Sequence, residues 1–397
     1  MKLSPFLDAT AIAVSLLGTY VADAKPLRRA NPSFVSRNGL QFELDGIPFP
    51  FAGTNVYDTA FVDSQHISDV LKEVKDNGYK VLRTWAFNEL DTRNAYIPDV
   101  YFQSWKDGKP TINDGAKGLG LLDEVVSQAE EAGIKLILTL TNNWDDYGGM
   151  DVYVNQTLGD GKPHDLFYTD PQIKIYYKDY VERIVSKHKN SPAIFAWELT
   201  NEARCLSYDW NPRSPDCTPD TITEWTDEMS RHIKTLDPDH IVSNGIEGFF
   251  NRPGQGSDYE YDGSQGQDFD AILGLENIDF GTIHVYVPKD GSNADASADE
   301  AWSLQYLKEH EASGVEAQKP VVLEEYGVPR QGELDRKVTY QKWRDYIYGS
   351  KAVNGDMSWM SIQLDSCPKD NIYAICENDP DFASLVTDWT EKMNGKP

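Results

Sequence analysis

Short β-rich runs alternate with helix-like stretches along most of this chain, and that alternation restricts its fold more than any other feature. The runs are 51–57, 80–87, 134–141, 193–200, 240–244, 280–286, 320–326 and 356–360. Between them, segments such as 67–77, 120–132, 171–188, 221–236, 298–313 and 335–349 carry helical patterns. Gly78, Gly133 and Gly314 stand where helices are expected to end. Eight parallel strands alternating with helices specify an α/β fold, the closed (β/α)8 TIM barrel. An open doubly wound sheet would want a glycine-rich phosphate loop after its first strand. Gly53-Thr54-Asn55-Val56 is not such a loop. Ahead of the first run, the turns Arg37-Asn38-Gly39 and Asp45-Gly46 separate short apolar stretches and predict an N-terminal β-hairpin. No low-complexity linker interrupts the rest. Residues 34–397 are therefore expected to form a single barrel with elaborated βα loops and no detached binding module.

Charge narrows the partners. A formal net charge of −27 disfavours nucleic acid, because phosphate neutralisation needs a basic surface. It also opposes docking on anionic membranes, and a neutral polymer is the compatible large substrate. The first 24 residues have the form of a secretory signal: Lys2, then the apolar Ala11-Ile12-Ala13-Val14-Ser15-Leu16-Leu17, then the small-x-small triplet Ala22-Asp23-Ala24. A short segment, 25–33, follows it. The apolar run is too short to span a bilayer. The four cysteines suit an oxidising compartment and form two sequence-local pairs, Cys205 with Cys217 and Cys367 with Cys376. Each bridge would staple one loop, worth on the order of 3 kcal/mol in the chain-entropy model. Asn155-Gln156-Thr157 is a glycosylation sequon.

In a barrel of this kind chemistry resides where strands end and βα loops begin. Polar and aromatic residues cluster there: Arg83 and Trp85 after the second run, Asn142, Asn143 and Trp144 after the third, Asn201 and Glu202 after the fourth. His284 and Tyr286 close the sixth run, Glu325 the seventh and Trp359 the eighth. Strands four and seven lie on opposite sides of an eight-stranded barrel, so two carboxylates can face one cleft. Glycosidic bonds break between such a pair, one acid protonating the leaving oxygen and one carboxylate attacking or stabilising the anomeric carbon. Glu202 stands at the mouth, where partial burial and a negative neighbour would raise its pKa. Glu198, mid-strand, is expected to be a buried, paired carboxylate. Glu324 and Glu325 are adjacent, so strand alternation directs them to opposite faces and only one enters the cleft. Counting alone does not say which. Arg83 suits either a structural salt bridge or the ionised carboxylate. Trp85, Trp144 and Trp359 are candidate sugar platforms.

The segment 197–204, with Asn201-Glu202, together with His284-Val285-Tyr286 and Glu325-Tyr326-Gly327, resembles glycoside hydrolase family 5. Arg83-Thr84-Trp85-Ala86-Phe87 and Asn142-Asn143-Trp144-Asp145-Asp146-Tyr147-Gly148-Gly149-Met150 are similar to the fungal endo-β-1,4-mannanases of that family. The resemblance spans nearly everything from residue 34 onward. It implies Glu202 as acid/base and, as the glutamate before the aromatic-glycine pair, Glu325 as nucleophile. It further implies Asn201 bonding the sugar at the scissile bond and Arg83, His284 and Tyr286 around the nucleophile. Trp359 would lie beneath that sugar, Trp85 would line the cleft, and Arg204 would reach a sugar on the leaving-group side. The expected reaction is endo-hydrolysis of β-1,4-mannosidic bonds in mannan, galactomannan and glucomannan by retaining double displacement. The protein is expected to act outside the cell as a monomer, with no metal or organic cofactor. A β-1,4- or β-1,3-glucanase on the same fold is the sibling alternative. A non-catalytic polysaccharide-binding protein is opposed by the joint presence of both glutamates, Asn201 and Arg83. Two departures stand out: Ala203 replaces the proline usual after Asn-Glu, and Cys205 and Cys217 enclose a longer loop, with Tyr208 and Trp210, than the family's short cysteine pair.

Overall fold

The computed structural model describes residues 33–91, 99–207, 211–255, 258–288, 296–361 and 371–397. The leader expected at 1–24, and all but the last residue of 25–33, lie outside them. So do Tyr208, Trp210 and Cys367. The described residues belong to one compact unit.

Eight strands form the central sheet: β1 Phe51–Asn55, β2 Val81–Trp85, β3 Lys135–Thr139, β4 Ile194–Glu198, β5 Ile241–Ser243, β6 Gly281–Tyr286, β7 Val321–Gly327 and β8 Val353–Ser358. Their order is β5-β4-β3-β2-β1-β8-β7-β6, and every neighbouring pair in it is parallel. Almost every strand residue is buried, as expected of a parallel sheet covered on both sides. The two end strands meet through single bonds rather than a ladder. The Asp279 N–H donates to the Val242 carbonyl at 2.8 Å, and the His284 N–H to the Glu247 carbonyl at 3.1 Å. The sheet thereby curls into the expected barrel.

Helices follow the strands in turn: α1 Ser64–Asp76, α2 Leu119–Ala132, α3 Pro171–His188, α4 Pro219–Leu236, α5 Phe269–Gly274, α6 Ala296–Ala317, α7 Arg336–Gly349 and α8 Thr387–Asn394. Local chemistry starts several of them. Asp63 caps α1 by accepting from the His66 N–H, and Asp170 caps α3 just ahead of Pro171. Gly133 ends α2 in the left-handed conformation.

Two expectations need correction. Gly314 does not end its helix, since α6 continues to Ala317. A Cβ at Gly314 would press on Ala352, Val321 and the Lys319 carbonyl, so close packing rather than termination explains the glycine. Strand β8 starts and ends earlier than 356–360, because Asn354 and Gly355 belong to it despite their poor strand propensity. The Phe51 ring occupies the space a Cβ at Gly355 would need. Trp359 therefore sits just past the strand.

The predicted hairpin is present as Val35–Asn38 paired with Gln41–Leu44, extended by Ile47–Pro48. Its Phe42 ring enters the barrel floor, 5.0 Å from Phe195, 5.4 Å from Phe280 and 6.0 Å from Phe51. Val81, Ile137, Val322 and Met357 complete this apolar layer. The floor is thus closed by aliphatic and aromatic packing, and the polar interior begins above it. Replacing Phe42 by Ala should destabilise the protein by about 3–5 kcal/mol, as for other buried Phe truncations. Urea unfolding would measure this, and kcat of the folded fraction should not change.

Candidate active site

Above the apolar floor the barrel interior becomes charged. Arg83, from the middle of β2, is fully buried, and its guanidinium is the hub. It donates to Glu198 Oε1 at 2.9 Å, to Glu325 Oε1 at 2.5 Å, to Asn55 Oδ1 at 3.1 Å and to Asn201 Oδ1 at 2.8 Å. Glu324 lies 3.7 Å away. Burial alone would favour loss of its proton, but the Glu198, Glu324 and Glu325 carboxylates reverse that and raise its pKa. Glu198 is the paired interior carboxylate expected, and it also accepts from Thr139 at 2.7 Å.

The alternation expected for Glu324 and Glu325 fails. Both carboxylates turn toward the barrel interior, and both approach Arg83 and His284. The cause is an irregularity in the β6–β7 ladder: Ile283 pairs with Leu323, but His284 pairs with Glu325, leaving Glu324 as the extra residue of a β-bulge. Depth then separates them. Glu325 lines the cleft and Glu324 lies beneath it. Burial and the neighbouring Glu198 carboxylate push Glu324 up to about 8.

Glu202 follows β4 in the left-handed region, with φ 54°. Its N–H donates to the Gly245 carbonyl at 2.7 Å, and Gly245 is pressed so closely on the Thr200 carbonyl that no side chain fits there. The Glu202 carboxylate accepts from Trp144 Nε1 at 2.6 Å and meets His284 Nδ1 at 2.7 Å. His284 Nε2 faces Glu324 at 3.3 Å. With carboxylates at both ring nitrogens, the imidazole acts as a double donor. Its pKa is raised well above the usual value: burial opposes the charge, and Glu325, Glu202 and Glu324 outweigh burial. The same bond corrects the expectation of a raised Glu202. Burial raises it, but the His284 hydrogen bond, the His284 and Arg204 charges and the Trp144 donor bring it to about 2. The two shifts run in opposite directions and favour the shared proton on His284.

The cleft encloses about 780 Å³ and gathers Trp85, Trp144, Asn201, Glu202, Arg204, His284, Tyr286, Glu325 and Trp359 along its walls. Arg83 touches it only through its partners. Tyr286 donates to Glu325 Oε2 at 2.6 Å. Asn201 donates to Asn142 Oδ1 at 3.0 Å. Arg204 lies between the Trp144 and Phe249 rings, 5.2 and 4.9 Å from their centroids, and is anchored on Glu247 at 2.6 Å. On the opposite wall Trp359 stacks on Tyr57 at 6.0 Å, beside Trp85 and Tyr147. Carboxylate and imidazole atoms of Glu202, His284 and Glu325 lie within 4.8 Å of one another, close enough to hold a cation. The hydrogen-bond distance between Glu202 and His284 already accounts for their proximity by a proton.

Sequence reasoning overlooked Tyr57, Tyr147, Glu247, Phe249 and Tyr259. The strand-end rule, applied to β1 and β5 as it was to the others, points to Tyr57 and Glu247. Tyr259 lies far along the β5–α5 connection, and no local signal marks it. The Cys205–Cys217 disulfide is present and ties down the loop after β4; the expected partner of Cys376, Cys367, lies outside the described residues. Asn155 sits in the helix Met150–Leu158 and is only 7% exposed. A glycan on its amide would have to leave through that packing. No helix among the described residues is long and apolar enough to cross a membrane.

Residues 32–358 match the family model described as "GH family 5 beta-mannosidase-like". The chain is 38% identical to the probable mannan endo-1,4-beta-mannosidase A-1 of Aspergillus terreus, covering 100% of this chain and 99% of that protein. It is 34% identical to the mannan endo-1,4-beta-mannosidase A of Hypocrea jecorina, covering 100% of this chain and 85% of that one. Among solved structures, the endo-1,4-beta-mannanase from Rhizomucor miehei superposes with a TM-score of 0.82 at 39% identity, over 92% of this chain and 100% of the other.

Glu324 has a folded-state pKa of about 8, above that of an unfolded carboxyl. The folded state therefore holds a proton that the unfolded state has lost, and stability falls as pH rises from the unfolded value toward 8. Glu324→Gln should flatten that fall, read as a shallower dependence of unfolding free energy on pH. An unchanged slope would mean that Glu324 is ionised at neutral pH.

Proposed function

The chain belongs to glycoside hydrolase family 5, and on that premise we propose that it is a secreted endo-β-1,4-mannanase working by retaining double displacement. The observation that carries this reading is the spacing of its two cleft carboxylates. An oxygen of Glu202 and one of Glu325 approach within 4.8 Å. Retaining glycosidases hold their carboxyl groups about 5–5.5 Å apart, whereas inverting ones leave about 6.5–9.5 Å for a water.

In this reading Glu325 is the nucleophile. Arg83 and Tyr286 each donate to one of its oxygens, which fixes its direction of attack. Its oxygen bonds to the anomeric carbon as the glycosidic bond breaks, and Glu202 delivers a proton to the departing oxygen. A water then attacks the glycosyl-enzyme, its proton goes to Glu202, and Glu325 is released as the carboxylate. The acid proton is at hand, since Glu202 and His284 share one across 2.7 Å. Substrate that expels water lowers the local dielectric and favours the neutral pair, with the proton on Glu202.

Trp359, Trp85 and Tyr57 supply flat apolar faces for the sugars before the cut. Arg204, held by Glu247, supplies hydrogen-bond donors after it. A chain carrying 64 acidic against 37 basic residues suits a neutral polysaccharide. Export is supported by the leader-like first 24 residues and by the disulfide.

Glu202→Gln and Glu325→Gln should each lower kcat by about a thousandfold or more with folding intact. Azide should rescue Glu325→Ala as a glycosyl azide of inverted configuration, and Glu202→Ala with retained configuration. The reverse pattern would exchange the two roles. Initial rates on mannan, galactomannan and carboxymethyl cellulose test the substrate, and faster cleavage of the cellulose derivative would overturn the assignment to mannan.

A further inference from the structure

The loop after β3 carries Trp144, which donates to Glu202, and then passes through three consecutive residues of positive φ: Tyr147 at 62°, Gly148 at 116° and Gly149 at 85°. The tyrosine among them is in a region that L side chains seldom adopt. Such a path persists only where its surroundings enforce it. The enforcing residue here is Glu89, from the loop after β2. Its N–H donates to the Tyr147 carbonyl at 2.8 Å, and its carboxyl oxygen Oε2 accepts from the Gly149 N–H at 2.6 Å. A single residue thus clasps both ends of the left-handed stretch.

Glu89 is 4% exposed and does not line the cleft. Its carboxyl also neighbours the buried Tyr153 hydroxyl. Surface loops do not need a buried carboxyl to turn, and burying one is costly. Glycine at 148 is required by the same contact, since a Cβ there would enter the Glu89 carboxyl, and glycine at 149 by the loop itself, since a Cβ there would meet the Trp144 and Asn142 carbonyls. The backbone of the clasped stretch therefore lies directly against the residue that aims at Glu202.

We propose that Glu89 is a positioning residue for the reaction, holding the Trp144 indole on Glu202 by clasping the Tyr147–Gly149 turn. This rests on Glu202 being the acid/base. Burial pushes the Glu89 carboxyl up to about 8, so at neutral pH it is a neutral acid whose carbonyl oxygen accepts from Gly149. A glutamine is the matching isostere.

The test compares Glu89→Met, Glu89→Asp and Glu89→Gln with Trp144→Phe and the Glu89→Met/Trp144→Phe double variant, on a mannooligosaccharide, with thermal unfolding run in parallel. Met removes the acceptor at similar volume, and Asp is too short to reach Gly149. Both should lower kcat by about tenfold, a typical cost for a misdirected donor. Gln should stay within about threefold of the parent. In the Trp144→Phe background the Met substitution should change kcat by less than about threefold, because the indole it positions is gone. Multiplicative losses in the double variant, or a wild-type kcat in Glu89→Asp, would overturn the proposal. Should Met fail to fold, the Asp and Gln variants still decide it. Full activity in Glu202→Gln would instead sink the acid/base assignment, an outcome separable from additivity in the cycle.

Discussion

The buried guanidinium of Arg83 is the interaction on which the rest of the site depends. Four side chains from three barrel strands or their ends, Asn55, Glu198, Asn201 and Glu325, reach one planar group through hydrogen bonds. A cation in a dry interior is tolerable only when it is fully paired, and losing one partner of such a pair typically costs about 3–5 kcal/mol. The barrel therefore holds these carboxylates because it holds Arg83, and the reverse. Arginine's fixed fork makes the arrangement directional as well as neutralising. Glu325 is aimed by it before any substrate arrives.

Proton placement follows from the same concentration of charge. Arg83 does not balance Glu198, Glu202, Glu324 and Glu325 alone. The excess is reduced by the raised pKa of His284, by pushing Glu324 up to about 8 and by the Arg204 charge near Glu202. His284 connects the two layers, facing Glu324 below and Glu202 above. The apolar floor closed by Phe42 keeps water from the underside of this network, so the cleft is its approach to solvent.

Much of this was legible in the chain. The alternation of β-rich runs and helices carried the barrel, since parallel strands buried on both faces leave continuous apolar runs. The strand-end rule located Glu202, Tyr286, Trp359 and their neighbours, because a barrel exposes its βα loops at one mouth. The failures have physical causes. Gly314 and Gly355 were chosen by close packing from residues far along the chain, and local propensity does not contain those neighbours. The bulge at Glu324 breaks the period of two on which counting faces depends. The low position of Glu202 comes from His284, Arg204 and Trp144, which lie on three different loops or strands.

By itself the sequence determined the alternation of elements, the residues available at each strand end and the presence of glutamates at the ends of strands four and seven. Each of these is a property of residue type and local order. Only the tertiary structure decided which neighbours those residues acquire. It placed Glu324 under Glu325 rather than behind it, set His284 between Glu202 and Glu324, and set Glu89 against the turn that follows Trp144. Hydrogen bonds and charges act over a few ångströms in space, and the fold brings to that distance residues separated by tens to hundreds of positions along the chain.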